Sequence, residues 1–284
     1  MAIGRVGSGV SIVGNQVSSS RELAKILEFS EAAAHADMFR VAPAEFKFEV
    51  DETSEYVARF APGMDIMMFN RAVGLGINTP VSRETINEVV QKYRDKGLTN
   101  FAIQLSPEAQ PAEAHEWLVN EGLTVRDYWT KGYRPADENL TMETDLRIEQ
   151  IDKSQATIFG ETVCAAFGMP LSLLPVIAAP VGLPGWNHYL AWDGESPAAA
   201  AALMIRGSTG WLGIGGTRVE FRGRGAQSAL IARRVRDGSK LGCTLFVAET
   251  WKERPDKPNP SLHNMLHTGF VMAYDRPNYM LPKE

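Results

Sequence analysis

Apolar and polar positions alternate most regularly in the second half of the chain. Residues 146–151 switch between apolar and polar, as a half-buried strand does. Residues 153–167 predict a helix and 170–179 a second one. Residues 189–192 predict a short strand, Asp193-Gly194 a turn, and 198–205 the strand that follows. The five alanines Ala198 to Ala202 favour helix by propensity, but Gly194 and Gly207 leave little room for one. A glycine-interrupted strand is expected over 211–220 and a helix over 225–240. Ile231, Ala232 and Val235 lie on one side of that helix, and Arg233, Arg236 and Lys240 on the other. Gly242 ends it. Residues 244–248 read as a buried strand, 260–268 as a short helix, and 270–274 as the start of a final strand.

The first half repeats part of this order. Residues 65–75 are strand-like. Ser82 is a good N-cap, and Ile86, Val89, Val90 and Tyr93 mark one face of the helix that follows. Gly97 closes that helix, 101–105 predict a strand, and 113–120 another helix. The ends of the halves match: 117–135 and 264–277 each run from a helix through a glycine to aromatics and Arg-Pro. This predicts a duplicated fold. The polar, acidic stretch 135–145, opened by Pro135, suits a linker. Strands and helices alternate on both sides of it, so the class is mixed α/β.

Composition narrows the function classes. With 284 residues, 44% hydrophobic and 22% charged, the chain has material for two domains with real cores. A net charge of -5 gives no general attraction to nucleic acid or acidic membranes. No apolar run is long enough to span a bilayer. Residues 1–20 are rich in Gly, Ser and Val without an unbroken apolar core, which predicts a flexible tail and not a signal peptide. Cys164 and Cys243 belong to no metal-ligand spacing and read as buried, reduced thiols. A cytoplasmic protein without a metal is expected.

The strongest chemical feature is the run from Gly215 to Leu230, which contains Arg222-Gly-Arg-Gly-Ala-Gln227. A strand enters a glycine-rich turn and a helix begins at once. Gly223 and Gly225 let a ligand approach the backbone. The first helix amides have no internal acceptors, and with the helix dipole they favour phosphate oxygens. Arg222 and Arg224 add positive charge. The run is not a P-loop, because no Gly-Lys-Ser/Thr follows at the required spacing. It is not a dinucleotide fingerprint either: Gly213-Ile-Gly215 begins one, but Thr217-Arg218 stands where the third glycine is needed.

The run does resemble the pyrophosphate loop of the GCN5-related N-acetyltransferases, whose pattern is Arg or Gln, two residues, Gly, one residue, then Gly or Ala. Arg222, Gly225 and Gln227 fall on those positions, with Gln227 in place of a small residue. The resemblance covers roughly 146–279 and includes Gly269-Phe270, which is similar to the end of a later family motif. It implies two tandem domains of this fold, each a mostly antiparallel mixed sheet flanked by helices. A degenerate copy at 21–138 would lack the loop, since Pro80 removes an amide there. A copy at 139–284 would bind acetyl-coenzyme A. The implied contacts are Thr217, Arg218, Val219, Arg222, Gly223, Arg224, Gly225, Ala226 and Gln227, with pantetheine lying where the strand ending at 217–219 splays from 244–248.

The implied reaction is direct transfer of an acetyl group to an amine, on a small molecule or a protein. Met265 stands where the family often has a tyrosine proton donor. Glu249, His263 and Tyr274 are the candidate acid and base groups; Tyr279 is, with Tyr274, a candidate proton donor in place of the absent tyrosine, and His188 a candidate lining residue of the acceptor pocket. Two other readings remain open: a non-catalytic acyl-coenzyme A-binding or sensing protein, and a nucleotide-binding enzyme that uses 222–226 for another phosphate. The oligomeric state is not readable.

Overall fold

The computed structural model describes residues 19–282. The tail expected over 1–20 lies outside them except for Ser19, which caps the first helix, and Ser20, which opens it. In chain order the elements are α1 (Ser20–Val41), β1 (Glu49–Glu52), β2 (Val57–Phe60), β3 (Arg71–Val73), α2 (Arg83–Asp95), β4 (Ala102–Gln104), α3 (Ala114–Asn120) and β5 (Thr124–Pro135). Then follow β6 (Arg147–Ile151), α4 (Ala156–Phe167), α5 (Leu174–Ala178), β7 (Trp186–Asp193), β8 (Ser196–Arg206), β9 (Thr209–Thr217), α6 (Ala226–Lys240), β10 (Leu245–Trp251), α7 (Pro260–His267) and β11 (Val271–Met280).

All eleven strands form one sheet in the order β1-β2-β3-β4-β11-β5-β10-β9-β8-β7-β6. Only β3 with β4 and β9 with β10 pair in parallel, each joined by a crossover helix. The duplication is visible in this order: β3-α2-β4-α3-β5 matches β9-α6-β10-α7-β11. The final strand of each half is exchanged. β5 pairs with β10 of the second half, and β11 pairs with β4 of the first. The two exchanged strands pair with each other at the centre, from Val271↔Tyr133 to Met280↔Thr124.

The alanine run is strand. Ala198 to Ala202 are fully buried in β8. Ala200 and Ala202 face the core that contains Phe159 and Val163 of α4, while Ala199 and Ala201 face Leu230 and Val235 of α6. Small side chains let a helix press on each face, and that packing overrides helix propensity. Two expected strands are shorter than the pattern suggested. The one expected over 65–75 reduces to β3, because Asn70 folds the preceding turn around itself: it accepts from the Ala61 amide (2.7 Å) and donates to the Met64 carbonyl (2.8 Å). The one expected over 211–220 stops at Thr217, where residues 219–221 make a 3₁₀ turn. Cys164 and Cys243 are free and buried, and burial pushes the Cys243 thiol up to about 11, which makes it inert.

Candidate active site

The site begins where two parallel strands part. β9 and β10 pair only from Thr209↔Leu245 to Trp211↔Val247, yet β9 continues to Thr217 and β10 to Trp251. The divergence comes from a bulge. Ala200 pairs with Gly216 and Ala202 with Gly213, so Ile214 and Gly215 stand opposite Ala201 alone. Ile214 adopts φ 53°, a left-handed conformation that costs a β-branched residue about 1–2 kcal/mol. Backbone strain of this kind persists where the surroundings over-determine it. Here Arg234 of α6 does so. It is buried, and it donates to the carbonyls of Ala202 (2.9 Å) and Gly213 (3.3 Å), the cross-strand pair that closes one end of the bulge.

The loop after β9 closes one end of the gap. Gly225 has φ 75°, and a Cβ there would overlap the Glu143 carbonyl oxygen, so the position is reserved for glycine by contact as well as by conformation. Gly225 caps α6 without a side-chain bond, and the first helical bond is donated by Ala229. The amides of Ala226, Gln227 and Ser228 thus point out of the helix without intrahelical acceptors, an arrangement suited to phosphate oxygens. At the matching place in the first half, Ser82 caps α2 by accepting from the Thr85 amide (3.0 Å). The loop there is stitched to 109–110: the Gln110 amide donates to the Gly76 carbonyl, and the Val81 amide to the Gln110 carbonyl. One of the first amides of α2 is thus already taken by its cap.

The loop cations divide by partner. Arg224 grips two carboxylates, Asp145 and Asp193, at 2.5 to 3.1 Å, tying the loop to the starts of β6 and the β7–β8 turn. Arg218 pairs with Glu220 at 2.6 Å. Arg222 donates only to the carbonyls of Thr217 and Ala166, so its charge has no carboxylate partner among the described residues. Gln227 turns away from the amides: its Nε2 donates to Thr217 Oγ1 at 3.0 Å, and it lines the gap. Val219 is exposed on the 3₁₀ turn, and Gly223 is open on all sides.

A cleft of about 340 Å³ passes between β9 and β10 to the far side of the sheet, where α1, β2 and β3 line it; of the loop residues expected to bind the cofactor, only Gln227 lines it. Glu249 of β10 stands in the passage. Its carboxylate accepts from Trp211 Nε1 (3.3 Å) and lies 3.4 Å from Lys131 Nζ. Burial pushes the Glu249 carboxyl up, and the nearby Glu31 carboxylate adds to this. Behind it is a buried ion network that the sequence reading did not anticipate. Glu31 of α1 holds Lys131 (2.7 Å), Arg276 (2.8 Å) and Arg71 (3.1 Å). These three cations outweigh the desolvation of Glu31 and hold its carboxyl well below the usual range. Glu28 accepts from Arg276 (2.5 Å) and from the Tyr274 hydroxyl (2.6 Å). For His35, also on the cleft, burial and then Arg59 and Arg71 push the imidazole well below its ordinary value.

Of the three acid–base candidates, only Glu249 lines the cleft. His263 lies on the outer side of α7, its side chain 60% exposed and paired with Glu253. Tyr274 has its hydroxyl committed to Glu28, and desolvation raises its pKa well above the ordinary value. His188 is buried between Trp186 and Phe159, and Tyr279 bonds His115; neither lines the cleft. Met265 is buried and does line it. Among the described residues, no helix is long and apolar enough to cross a membrane, and no group of three His, Cys, Asp or Glu residues is placed to hold a metal ion.

No protein-family profile matches the sequence, and a search of curated proteins found no match. Solved structures do match. A GCN5-related N-acetyltransferase from Kribbella flavida superposes with a TM-score of 0.63 at 14% identity, covering 90% of this chain and 95% of that one. A GCN5-related N-acetyltransferase from Sphaerobacter thermophilus gives 0.57 at 13%, covering 81% of each chain. A tandem GNAT protein from the clavulanic acid biosynthesis pathway gives 0.58 at 11%, covering 93% of this chain and 95% of that one. At such identities the likeness is one of architecture: this chain has the fold of the GCN5-related N-acetyltransferases, in tandem form.

Proposed function

We propose that the chain is an acyltransferase that moves an acetyl group from acetyl-coenzyme A to an amine. The observation that carries this reading is the meeting of three features: free helix amides with an unpaired Arg222, a strand gap held open by the bulge and lined by Gln227, and a buried carboxylate in that gap. The residues fit the co-substrate. The amides of Ala226 to Ser228 and Arg222 would hold the pyrophosphate, and the unpaired edges of β9 and β10 would receive the pantetheine. Bound there, acetyl-coenzyme A supplies the acyl group: the amine nitrogen gains the carbonyl carbon, the C–S bond breaks, and the amine proton ends on the thiol.

Glu249 is assigned as the base. Its raised pKa makes it a stronger base than an ordinary carboxylate, as taking a proton from an ammonium requires. Lys131 and Trp211 fix its orientation. Thr217, Arg218, Val219, Gly223, Gly225 and Arg224 are assigned to the shape of the cofactor mouth, Arg224 through its carboxylates and not as a phosphate ligand. Tyr274 and His263 receive no acid–base role.

The test is release of free thiol from acetyl-coenzyme A over a panel of primary amines. The proposal expects turnover with some amines, and a loss of about 10²–10⁴ in kcat for Glu249→Gln with the KM for acetyl-coenzyme A little changed. One observation favours the alternative of binding without turnover: Met265 presents no proton at the place where the resemblance expects a tyrosine. Tight acetyl-coenzyme A binding with no turnover on any amine would select it.

A further inference from the structure

The far end of the cleft carries two buried arginines whose charge the nearby carboxylates neutralise only in part. Arg59 of β2 and Arg71 of β3 are direct cross-strand partners on the buried face, at 2% and 0% exposure. Like charges placed opposite one another destabilise a sheet. Burial makes the juxtaposition worse, because water does not screen it. Arg71 is partly compensated: it bonds Glu31 and Gln104 and stacks on Trp129 at 4.6 Å. Its Nε nevertheless has no acceptor.

Arg59 is compensated less: Glu31 and Glu249 act on it only at a distance. It has no carboxylate within ion-pair distance and no side-chain hydrogen bond among the described residues, and its buried Nη2 is unsatisfied. Its guanidinium has only the ring of Phe39, at 5.2 Å. Both arginines line the cleft. A buried guanidinium without an acceptor is strongly unfavourable, so the arrangement calls for an anion supplied from outside. Around the two arginines the walls are apolar: Phe39, Phe69, Met38 and Trp129.

We infer that Arg59 and Arg71 form a carboxylate-binding subsite, so that the acceptor is an amine carrying a carboxylate on an apolar or aromatic body, as an apolar amino acid does. This rests on the acyltransferase reading, because it takes the cleft beyond Glu249 as the acceptor's place. A planar carboxylate suits two neighbouring guanidinium edges, which can each donate to it. The same charges exclude polycationic acceptors such as polyamines and lysine-rich peptides, which would bring further positive charge against them.

The inference is tested on product-like probes that need no turnover. N-acetylated phenylalanine, tryptophan, leucine and methionine are titrated into the coenzyme A-bound protein by calorimetry, each beside its primary amide. At least one acid is expected to bind ten or more times tighter than its amide, and Arg59→Met is expected to abolish that preference while affinity for acetyl-coenzyme A stays within about twofold. The acid–amide comparison on the unaltered protein stands by itself if the variant does not fold. Equal binding of acids and amides, no binding by any acid, or an Arg59→Met protein that keeps the preference would each overturn the subsite. Failure to bind coenzyme A at all would instead overturn the acyltransferase reading.

Discussion

Glu249 is pulled in two directions. Burial and Glu31 favour its neutral form, while Lys131, Arg276 and Arg71 favour the carboxylate, and the balance leaves the group titrating above an ordinary glutamate. A base must be unprotonated to act. The rate should therefore fall as pH falls through this raised value, and the acid limb of the kcat/KM profile should lie above the usual carboxylate range. In Glu249→Gln that limb should vanish from the residual rate; a limb that persists unchanged would assign it to another group. Glu31 has the opposite linkage. Its pKa is lowered on folding, so it contributes stability that is present above the unfolded value and is lost as pH falls through the folded one. Glu31→Gln leaves Lys131, Arg71 and Arg276 facing one another and should cost about 3–5 kcal/mol, read as a lower denaturation midpoint. None of Glu28, Glu31, Arg59 or Arg71 stood out in the sequence, since a lone charge in the strands of Arg59 and Arg71, or in the helix of Glu28 and Glu31, shows no partner. The one signal was the 3–4 spacing of Glu28, Glu31 and His35, which puts three polar groups on one face of α1.

At the scale of elements, the turn from β9 into α6 was legible because its chemistry is local: glycines, arginines and a helix start within a dozen residues. The gap beside it was only implied by resemblance, since a bulge depends on which residues of β8 face β9. Gly225 shows why local reading falls short. Its sequence position suggested close approach by a phosphate, but the neighbour that excludes a side chain is the Glu143 carbonyl. Gly225→Ala should thus lower stability, by about 1–3 kcal/mol for the left-handed backbone alone, whether or not ligand is present. A variant as stable as the parent would show that the contact is not felt. The free strand edges make a second expectation. Acetyl-coenzyme A should slow amide hydrogen exchange at 212–217 and 223–228 and leave α2 unaffected. Equal protection in both halves, or none, would contradict the assignment of the gap to the second half alone.

Across the whole molecule, the exchange of β5 and β11 ties the halves together. The repeat at 117–135 and 264–277 was readable as a helix-glycine-strand corner, but not that each corner strand would join the other half's sheet. A strand's own residues specify its faces, while its neighbours are chosen by the rest of the chain. The exchange also builds the site. Lys131 on β5 and Arg276 on β11 reach Glu31 on α1, and Lys131 also reaches Glu249 on β10, so the passage is framed by both halves. The first half, with its capped α2 and stitched loop, contributes the arginines and α1 to the cleft.

The central claim is that the α6 amides, Arg222 and the β9–β10 gap hold an acyl-coenzyme A. Calorimetric titration of the protein with acetyl-coenzyme A, beside ATP and NAD, tests it most directly. One site per chain is predicted, selective for acetyl-coenzyme A, and weakened about tenfold or more in Arg222→Glu. No binding by the folded protein, or ATP binding as tightly as acetyl-coenzyme A, would contradict it.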